Sequence, residues 1–156
     1  MGPCPRLSSF CKHAPDRMSV MKKLAVAADT ERLDTWVKYH KTLCASCRGT
    51  CCSLPVEVRL DDLIRLGEAD EFERQEPLKQ IARRLTKAGI IGHFNHKSGL
   101  FTLARRANGD CRYLDPVSRL CTIYAKRPDT CRNHPQVGPR PGFCAWQPKP
   151  APLHQQ

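Results

Sequence analysis

Residues 44–52 read C-A-S-C-R-G-T-C-C, and no other stretch of the chain says as much about how it is built. Four thiols, those of Cys44, Cys47, Cys51 and Cys52, fall within these nine residues. Thiols this close together contribute little to a hydrophobic core, but as thiolates they are strong, soft ligands for zinc or iron. The run therefore predicts a metal-binding centre around which loops are held.

Four more cysteines follow in the second half of the chain, with the spacing C-x9-C-x9-C-x12-C. Together with the run they give eight candidate metal ligands: Cys44, Cys47, Cys51, Cys52, Cys111, Cys121, Cys131 and Cys144. The other two cysteines, Cys4 and Cys11, lie far from the rest in the N-terminal stretch and are left out of the set. His134, three residues after Cys131, is the best non-cysteine candidate, with a plain helix-terminal histidine as the alternative.

The spacing within the run favours convergence on one ion. Cys44 and Cys47 are related as i and i+3, which lets two thiols reach one ion through a tight knuckle. Gly49 can take a left-handed conformation and bring Cys51 back toward the same point. Cys51 and Cys52 point to opposite sides if the backbone is extended. One of this pair could therefore serve a second ion, cap the site or only pack.

Ten cysteines in 156 residues demand a choice between metal and disulfides. Structural disulfides need an oxidising compartment, and residues 1–17 contain no apolar segment of the kind an export signal requires. The apolar stretch Leu24–Ala28 is far too short to span a membrane. We therefore expect a soluble, cytoplasmic protein without a membrane partner, in which the cysteines bind metal. Disulfides and unligated thiols are the alternatives.

The formal net charge of +11 comes from 26 basic and 15 acidic residues. Two Zn(Cys)4 centres, each carrying about −2, would reduce it to about +7, so part of the excess can balance metal–thiolate charge. The basic residues form pairs, such as Arg105-Arg106 and Lys126-Arg127, rather than runs. Scattered charge of this kind favours a solvated surface over a nucleic-acid interface.

The length favours one domain with a modest core. Residues 1–17 have the composition of a disordered tail or of an over-extended gene start, since Met18 and Met21 follow. We expect the metal-binding domain to occupy residues 18–147 and a second disordered tail to occupy residues 148–156.

Hydrophobic periodicity predicts a first helix over Asp29–His40, one or two helical turns over Leu60–Leu66, and a longer helix between Pro77 and Gly89. Leu54–Val58 is expected to be extended, and a short helix is expected to begin near Pro128.

Strand patterns predict an antiparallel meander over Leu100–Arg105, Cys111–Leu114 and Leu120–Tyr124, with a turn at Asn108-Gly109. Pairing of the last two strands would bring Cys111 and Cys121 close together. The expected class is a small α+β domain in which helices and a short antiparallel meander carry loops held by metal-binding cysteines.

The residues also resemble a known family. The run C-A-S-C-R-G-T-C-C at 44–52 is similar to that of the YkgJ-type cysteine-cluster proteins, the CxxCxxCC family. The segment V-E-V-R-L-D-D-L-I-R-L at 56–66 and the pieces C-T-I-Y at 121–124 and R-P-D-T-C-R at 127–132 resemble the family too. In this chain three residues separate Cys47 from the Cys51-Cys52 pair, whereas the family name implies two.

The resemblance implies chelation of zinc or iron, in a process that the sequence does not identify. Flagellin lysine methylases are similar in carrying a related cysteine motif, which implies an iron–sulfur enzyme or enzyme component as an alternative. A zinc-ribbon-like nucleic-acid module is the second alternative. The chain has no Gly-rich nucleotide loop and no HExxH zinc motif, so no catalytic residue is assigned. A protein partner is not identified.

Overall fold

The computed structural model describes residues 27–149. The predicted tail over residues 1–17 and the cysteines Cys4 and Cys11 lie outside this range. Of the predicted tail over residues 148–156, only the first two residues are described. Both pair with the cysteine run: Pro148 forms an isolated β-bridge with Cys47, and the Lys149 amide donates to the Ser46 carbonyl at 2.9 Å.

Within residues 27–149 the chain forms four short α-helices and five short strands, a mixed α+β arrangement as expected. The helices are α1 (Thr42–Ser46), α2 (Leu60–Leu66), α3 (Leu78–Lys87) and α4 (Asp129–Asn133). The strands are β1 (Val37–Lys38), β2 (Glu57–Val58), β3 (Ile91–Asn95), β4 (Leu100–Leu103) and β5 (Phe143–Cys144). Single 3-10 turns occupy Leu33–Thr35, Thr50–Ser53, Glu71–Gln75 and Tyr124–Lys126. None of the helices in this part of the chain has the length and apolar character needed to cross a membrane.

The larger sheet has the strand order β2-β4-β3, antiparallel throughout, and α2 and α3 cover it. Strand β4 lies in the middle, and its side chains alternate, with Phe101 and Leu103 buried. This sheet and the two helices enclose the main core, which consists of Val56, Val58, Leu63, Ala69, Ile81, Ala82, Leu85, Ile90, Ile91, Phe101 and Leu103. The hydrophobic core therefore lies between the two groups of cysteines in sequence.

Helices α2 and α3 form where the sequence predicts them. Ile81, Ala82 and Leu85 line the buried face of α3, and Pro77 precedes its first turn. Helix α2 ends at Gly67, whose φ of 81° is the left-handed conformation that glycine adopts most easily at a helix end.

The predicted helix over Asp29–His40 is wrong. This segment makes one 3-10 turn and then enters β1. Local side-chain hydrogen bonds compete with helix formation: the Asp29 amide donates to Thr35 Oγ1 at 2.9 Å, and Trp36 Nε1 donates to the Asp29 carbonyl at 3.0 Å. Burying the Trp36 ring requires the chain to fold back rather than continue as a helix.

Strand β1 pairs with β5 at the far end of the described chain. A small second core of Ala28, Trp36 and Ala145 supports this two-stranded sheet, with Leu54 and Phe143 packed against it. The Ala28 amide donates to the Trp146 carbonyl at 2.9 Å, so the first and last described segments are held together.

The predicted location of the meander is also wrong in its last two strands. Cys111–Leu114 and Leu120–Tyr124 form only isolated bridges, Arg105↔Cys111 and Leu114↔Cys121, because turns interrupt both segments. The sheet instead contains β3, a strand that the sequence did not predict. Its burial pattern does not alternate, and its pairing contains a register shift between Ile91 and His93. Those irregularities hide a strand from a search for strict alternation.

One buried carboxylate connects α2 to α4. Asp62 accepts the Arg59 amide at 3.0 Å and the Asp129 amide at 3.0 Å, and it pairs with the Arg65 guanidinium. It therefore satisfies amide groups at the N-terminal ends of both helices, where hydrogen-bond partners are otherwise missing. Helix α4 carries Cys131, so this carboxylate fixes part of the cysteine-bearing second half to the core.

We expect Asp62→Asn to lower the free energy of unfolding by about 2–3 kcal/mol, because the amide cannot accept all three donors and leaves buried N–H groups unpaired. The matched control is Asp61→Asn, which changes an exposed neighbour paired only with exposed Arg74 and should cost less than about 0.5 kcal/mol. Urea unfolding followed by circular dichroism measures both. Equal losses in the two variants would contradict the role given to Asp62.

Candidate metal centre

The cysteine run folds as two short turns separated by a glycine. Cys44 lies in α1, Cys47 follows the end of that helix, and Cys51 and Cys52 lie in the 3-10 turn Thr50–Ser53. Gly49 has φ 80° and ψ 36°, the left-handed conformation expected from the sequence. Among residues 27–149 the eight cysteines form no disulfide with one another.

A second segment packs closely behind Gly49. A methyl group added at Gly49 would meet the Arg119 carbonyl oxygen at 3.1 Å and Leu114 Cδ1 at 3.5 Å. Arg119 itself has a positive φ of 58°, which is uncommon for a residue with a side chain. Its Nε donates to the Arg48 carbonyl at 3.0 Å. The run and the loop before Cys121 therefore form one tightly packed unit.

Backbone pairing brings Cys144 to the first two cysteines of the run. Strand β5 aligns Cys144 with Val37, which lies shortly before α1. After Cys144 the chain lies alongside the cysteine run. Pro148 forms an isolated β-bridge with Cys47, and the Arg48 amide donates to the Gln147 carbonyl at 3.0 Å. Cys44, Cys47 and Cys144 consequently share one side of the molecule.

A different set of contacts brings together Cys52, Cys111 and Cys121. The Cys111 amide donates to the Cys52 carbonyl at 2.6 Å. Cys121 forms an isolated β-bridge with Leu114, which lies three residues after Cys111. The proximity of Cys111 and Cys121 expected from the sequence is thus achieved by single bridges rather than by two strands.

Cys131 joins this second set from α4. The helix packs against β2, where Thr130 Oγ1 donates to the Glu57 carbonyl at 2.6 Å, and Cys131 contacts the edge of the main core. Cys52, Cys111, Cys121 and Cys131 are therefore brought to one region by four separate segments.

The electrostatic influence of the sulfurs on one another follows the same division. Burial and the charges of Cys47, Cys44 and Cys51 raise the pKa of Cys144 to about 11. Burial and the charges of Cys111, Cys51 and Cys121 raise the pKa of Cys131 to about 12. Thiols that raise each other's pKa in this way need a cation before they can all ionise.

Cys51 and Cys52 stand between the two groups. A hydrogen bond from the Cys52 thiol lowers the pKa of Cys51 to about 7, and the positive charge of Arg127 acts in the same direction. The same contact, with burial and the charge of Cys51, raises the pKa of Cys52. Cys51 is also the only residue of the run that contributes to the raised pKa of both Cys131 and Cys144.

Between residues 27 and 149, no three Cys, His, Asp or Glu side chains already converge closely enough to hold an ion. The donor set nevertheless fits a thiophilic metal, because all eight thiols lie in loops, short helices or two-residue strands near one another. In such sites the final convergence of the sulfurs usually accompanies metal binding, since unligated thiols gain nothing by meeting at one point.

The other residues near the cysteines have ordinary partners, with one exception. Tyr124 is 65% exposed, and the guanidinium carbon of Arg127 lies 3.7 Å from the centre of its ring. Arg132 donates to the carbonyls of Ala125 and Arg127 at 2.8 Å each. The exception is His134, whose Nε2 is buried with no hydrogen-bond partner in the described part of the chain and whose pKa is lowered by burial.

A family model described as a putative zinc- or iron-chelating domain, CxxCxxCC, matches residues 43–150. The chain belongs to the CxxCxxCC family. No curated protein and no solved structure matches it. Metal binding through a cysteine cluster is thus the property that the chain shares with its family.

The CxxCxxCC match includes all eight candidate cysteines but begins after β1 and Trp36. The small second core and the strand that pairs with Cys144 therefore depend partly on residues that precede the family domain. In this chain the preceding segment helps to position one of the candidate ligands.

Sequence reasoning missed one group that supports the site. Arg119 forms a fork with Asp110, with Nη2 donating to Oδ1 at 3.0 Å, and the Arg119 guanidinium lowers the pKa of Asp110. Both side chains are largely buried, at 16% and 7% exposure. The only signal in the sequence is that Asp110 follows the Asn108-Gly109 turn and directly precedes Cys111, which does not indicate its partner.

We expect Gly49→Ala to destabilise the protein by about 1 kcal/mol more than Gly67→Ala, because only Gly49 faces a backbone carbonyl that cannot yield. Both glycines have φ near 80°, so the strain of a left-handed alanine, about 1–2 kcal/mol, is common to the two variants. Urea unfolding gives the difference, and identical losses would mean that the Arg119 segment does not pack tightly on the run.

Proposed function

We propose that the eight cysteines bind two metal ions or metal clusters in two adjacent four-thiolate sites. The first site uses Cys44, Cys47, Cys51 and Cys144. The second site uses Cys52, Cys111, Cys121 and Cys131. The observation that carries this proposal is the separation of the cysteines into two groups by backbone pairing.

The first group is supported by β1–β5 pairing and by the bridge between Cys47 and Pro148, which bring Cys144 alongside α1. The second group is supported by the Cys111–Cys52 hydrogen bond and by the Leu114↔Cys121 bridge. Each group contains four thiols, which is the number that a closed structural zinc site or an iron–sulfur cluster requires.

The assignment of Cys51 and Cys52 to different sites rests on their neighbours. The Cys52 carbonyl is bonded to the Cys111 amide, which holds Cys52 with the second group. Cys51 acts on the pKa of both Cys131 and Cys144; it is placed in the first site as the more exposed of the pair and as the fourth thiol beside Cys44, Cys47 and Cys144. The two sites would therefore meet at a single peptide bond.

The metal is zinc or iron, including iron in an iron–sulfur cluster. Zinc would supply structural stability, and an iron–sulfur cluster would supply electron transfer. In either case this chain's own contribution is to present eight thiolates and to balance their charge with nearby arginines, such as Arg127 beside Cys51. No residue is assigned a catalytic step.

Metal would also stabilise the second half of the fold. Residues 104–128 contain only a single 3-10 turn and isolated bridges, and their large side chains Val117, Leu120 and Tyr124 are exposed. Within it Leu114 is buried and Asp110 pairs with Arg119, and ligation of Cys111 and Cys121 would add to the order that these two contacts provide.

We expect purified protein, kept anaerobic, to contain about two zinc ions or two iron–sulfur clusters per chain. Cys144→Ser should lose the metal of the first site and keep that of the second, while Cys121→Ser should do the reverse. Elemental analysis with a visible spectrum measures both content and identity, because iron–sulfur clusters are coloured and zinc is not.

The matched control is Cys11→Ser, which removes a thiol outside both groups and should leave the metal content unchanged. Loss of all metal in both Cys144→Ser and Cys121→Ser would contradict two separable sites and would indicate one shared centre. Metal-free protein that folds normally would remove the proposed function altogether.

We expect chelation of the metal to loosen residues 104–128 before the main core. The Cys111 and Thr122 amides, bonded to the Cys52 and Tyr113 carbonyls, should exchange faster with deuterium after chelation. The Leu103 amide, bonded to the Val56 carbonyl within the main core, is the internal control and should keep its protection. Equal loss of protection at all three amides would contradict a metal-specific role.

A further inference from the structure

A polar cavity of about 320 Å³ lies beside the cysteine run. Arginines from three separate segments line it: Arg48 within the run, Arg105 after β4, and Arg119 before Cys121. Apart from Gly109, every residue of its wall has a polar or charged side chain. A wall without apolar side chains favours a hydrophilic ligand over a hydrophobic one.

The acidic residues in the wall do not cancel this positive charge. Asp110 is already satisfied, since Oδ1 accepts from Arg119 Nη2 at 3.0 Å, and Oδ2 accepts from Asn108 Nδ2 at 3.0 Å and from Arg119 Nη1. Arg119 and Asp110 thus neutralise each other. Arg48 and Arg105 then face one further carboxylate, that of Glu31, and all three side chains are exposed, so the wall keeps one net positive charge.

Arg48 and Arg105 have donors to spare. Arg105 donates from Nη1 to the Ser53 carbonyl at 3.0 Å, which orients its guanidinium and leaves other N–H groups available. Among residues 27–149, no acceptor takes a hydrogen bond from the Arg48 guanidinium, although both backbone groups of Arg48 are bonded, to Gln147 and Arg119. The cavity therefore combines a fixed backbone with uncommitted guanidinium donors.

We propose that this cavity binds an oxyanion, the phosphate or carboxylate group of a small polar molecule, through Arg48 and Arg105. Planar guanidinium groups match the oxygens of such anions in geometry and in charge. The site does not use the thiols, so it can fail or succeed independently of metal binding.

Isothermal titration calorimetry of the full-length, metal-loaded protein tests the site, with inorganic phosphate in one arm and malonate in the other. Sodium chloride at equal ionic strength is the blank. We expect saturable binding of at least one anion at one site per chain, and the better ligand identifies a phosphate or a carboxylate source.

Arg48→Gln and Arg105→Gln should each weaken binding at least ten-fold, equivalent to about 1.4 kcal/mol. The matched control is Arg83→Gln, which removes the same charge from the exposed face of α3 and should bind as the unaltered protein does. Metal content measured on every variant shows whether the cysteine run has kept its structure.

Three results would overturn the proposal: neither anion binding more tightly than chloride, equal weakening by Arg83→Gln, or unchanged binding in Arg105→Gln. If Arg48→Gln also loses metal, Arg105→Gln alone decides, since Arg105 lies outside the cysteine run. Loss of phosphate or malonate binding with full metal content in Arg105→Gln supports the site.

Discussion

The buried ion pair between Arg119 and Asp110 is the contact on which the arrangement of the cysteines depends. Each partner lies within two residues of a cysteine, Asp110 beside Cys111 and Arg119 before Cys121. Arg119 also donates to the Arg48 carbonyl, in the middle of the run. Removing one member of a buried pair leaves an uncompensated charge and typically costs about 3–5 kcal/mol. One guanidinium thus joins three segments that would otherwise have few reasons to stay together.

The Arg119 backbone illustrates how such a contact is maintained. A non-glycine residue in the left-handed region costs about 1–3 kcal/mol and persists only where surrounding contacts compensate for it. At Arg119 the compensation comes from two hydrogen-bonded carboxylate oxygens and from the close packing on Gly49. Alanine at position 119 would keep the strain and lose the two hydrogen bonds to Asp110.

The parts of the fold that could be predicted are those with local causes. Helices α2 and α3, their glycine ends and the left-handed Gly49 follow from periodicity and from the freedom of glycine. The eight candidate cysteines follow from their number and spacing. Strand β3 and the fold-back at Trp36 could not be predicted from the local pattern, because pairing with β4 overrides it in the first and burial of Trp36 beside Ala145 overrides it in the second. The Asp110–Arg119 pair is hidden for the same reason.

The main core and the cysteine-bearing loops are stabilised in different ways. The main core around Phe101 and Leu85 is apolar and closed, whereas the cysteine-bearing loops contain polar contacts, turns and exposed apolar side chains. Asp62 connects the two parts, because it binds the amide ends of both α2 and α4. The charge of the thiolates and the arginine-lined cavity lie on the loop side of this division.

The pairing of the first and last described segments has a consequence for the order of assembly. Ala28 and Trp146 are in hydrogen-bond contact across almost the whole described chain, and closing so long a loop costs about 4 kcal/mol in chain entropy. That closure becomes favourable only after the intervening segments have become ordered. Cys144 arrives with the closing segment, whereas Cys52 through Cys131 lie inside the loop. The thiols of Cys52, Cys111, Cys121 and Cys131 can gather early in folding, and Cys144 is the last to join Cys44, Cys47 and Cys51.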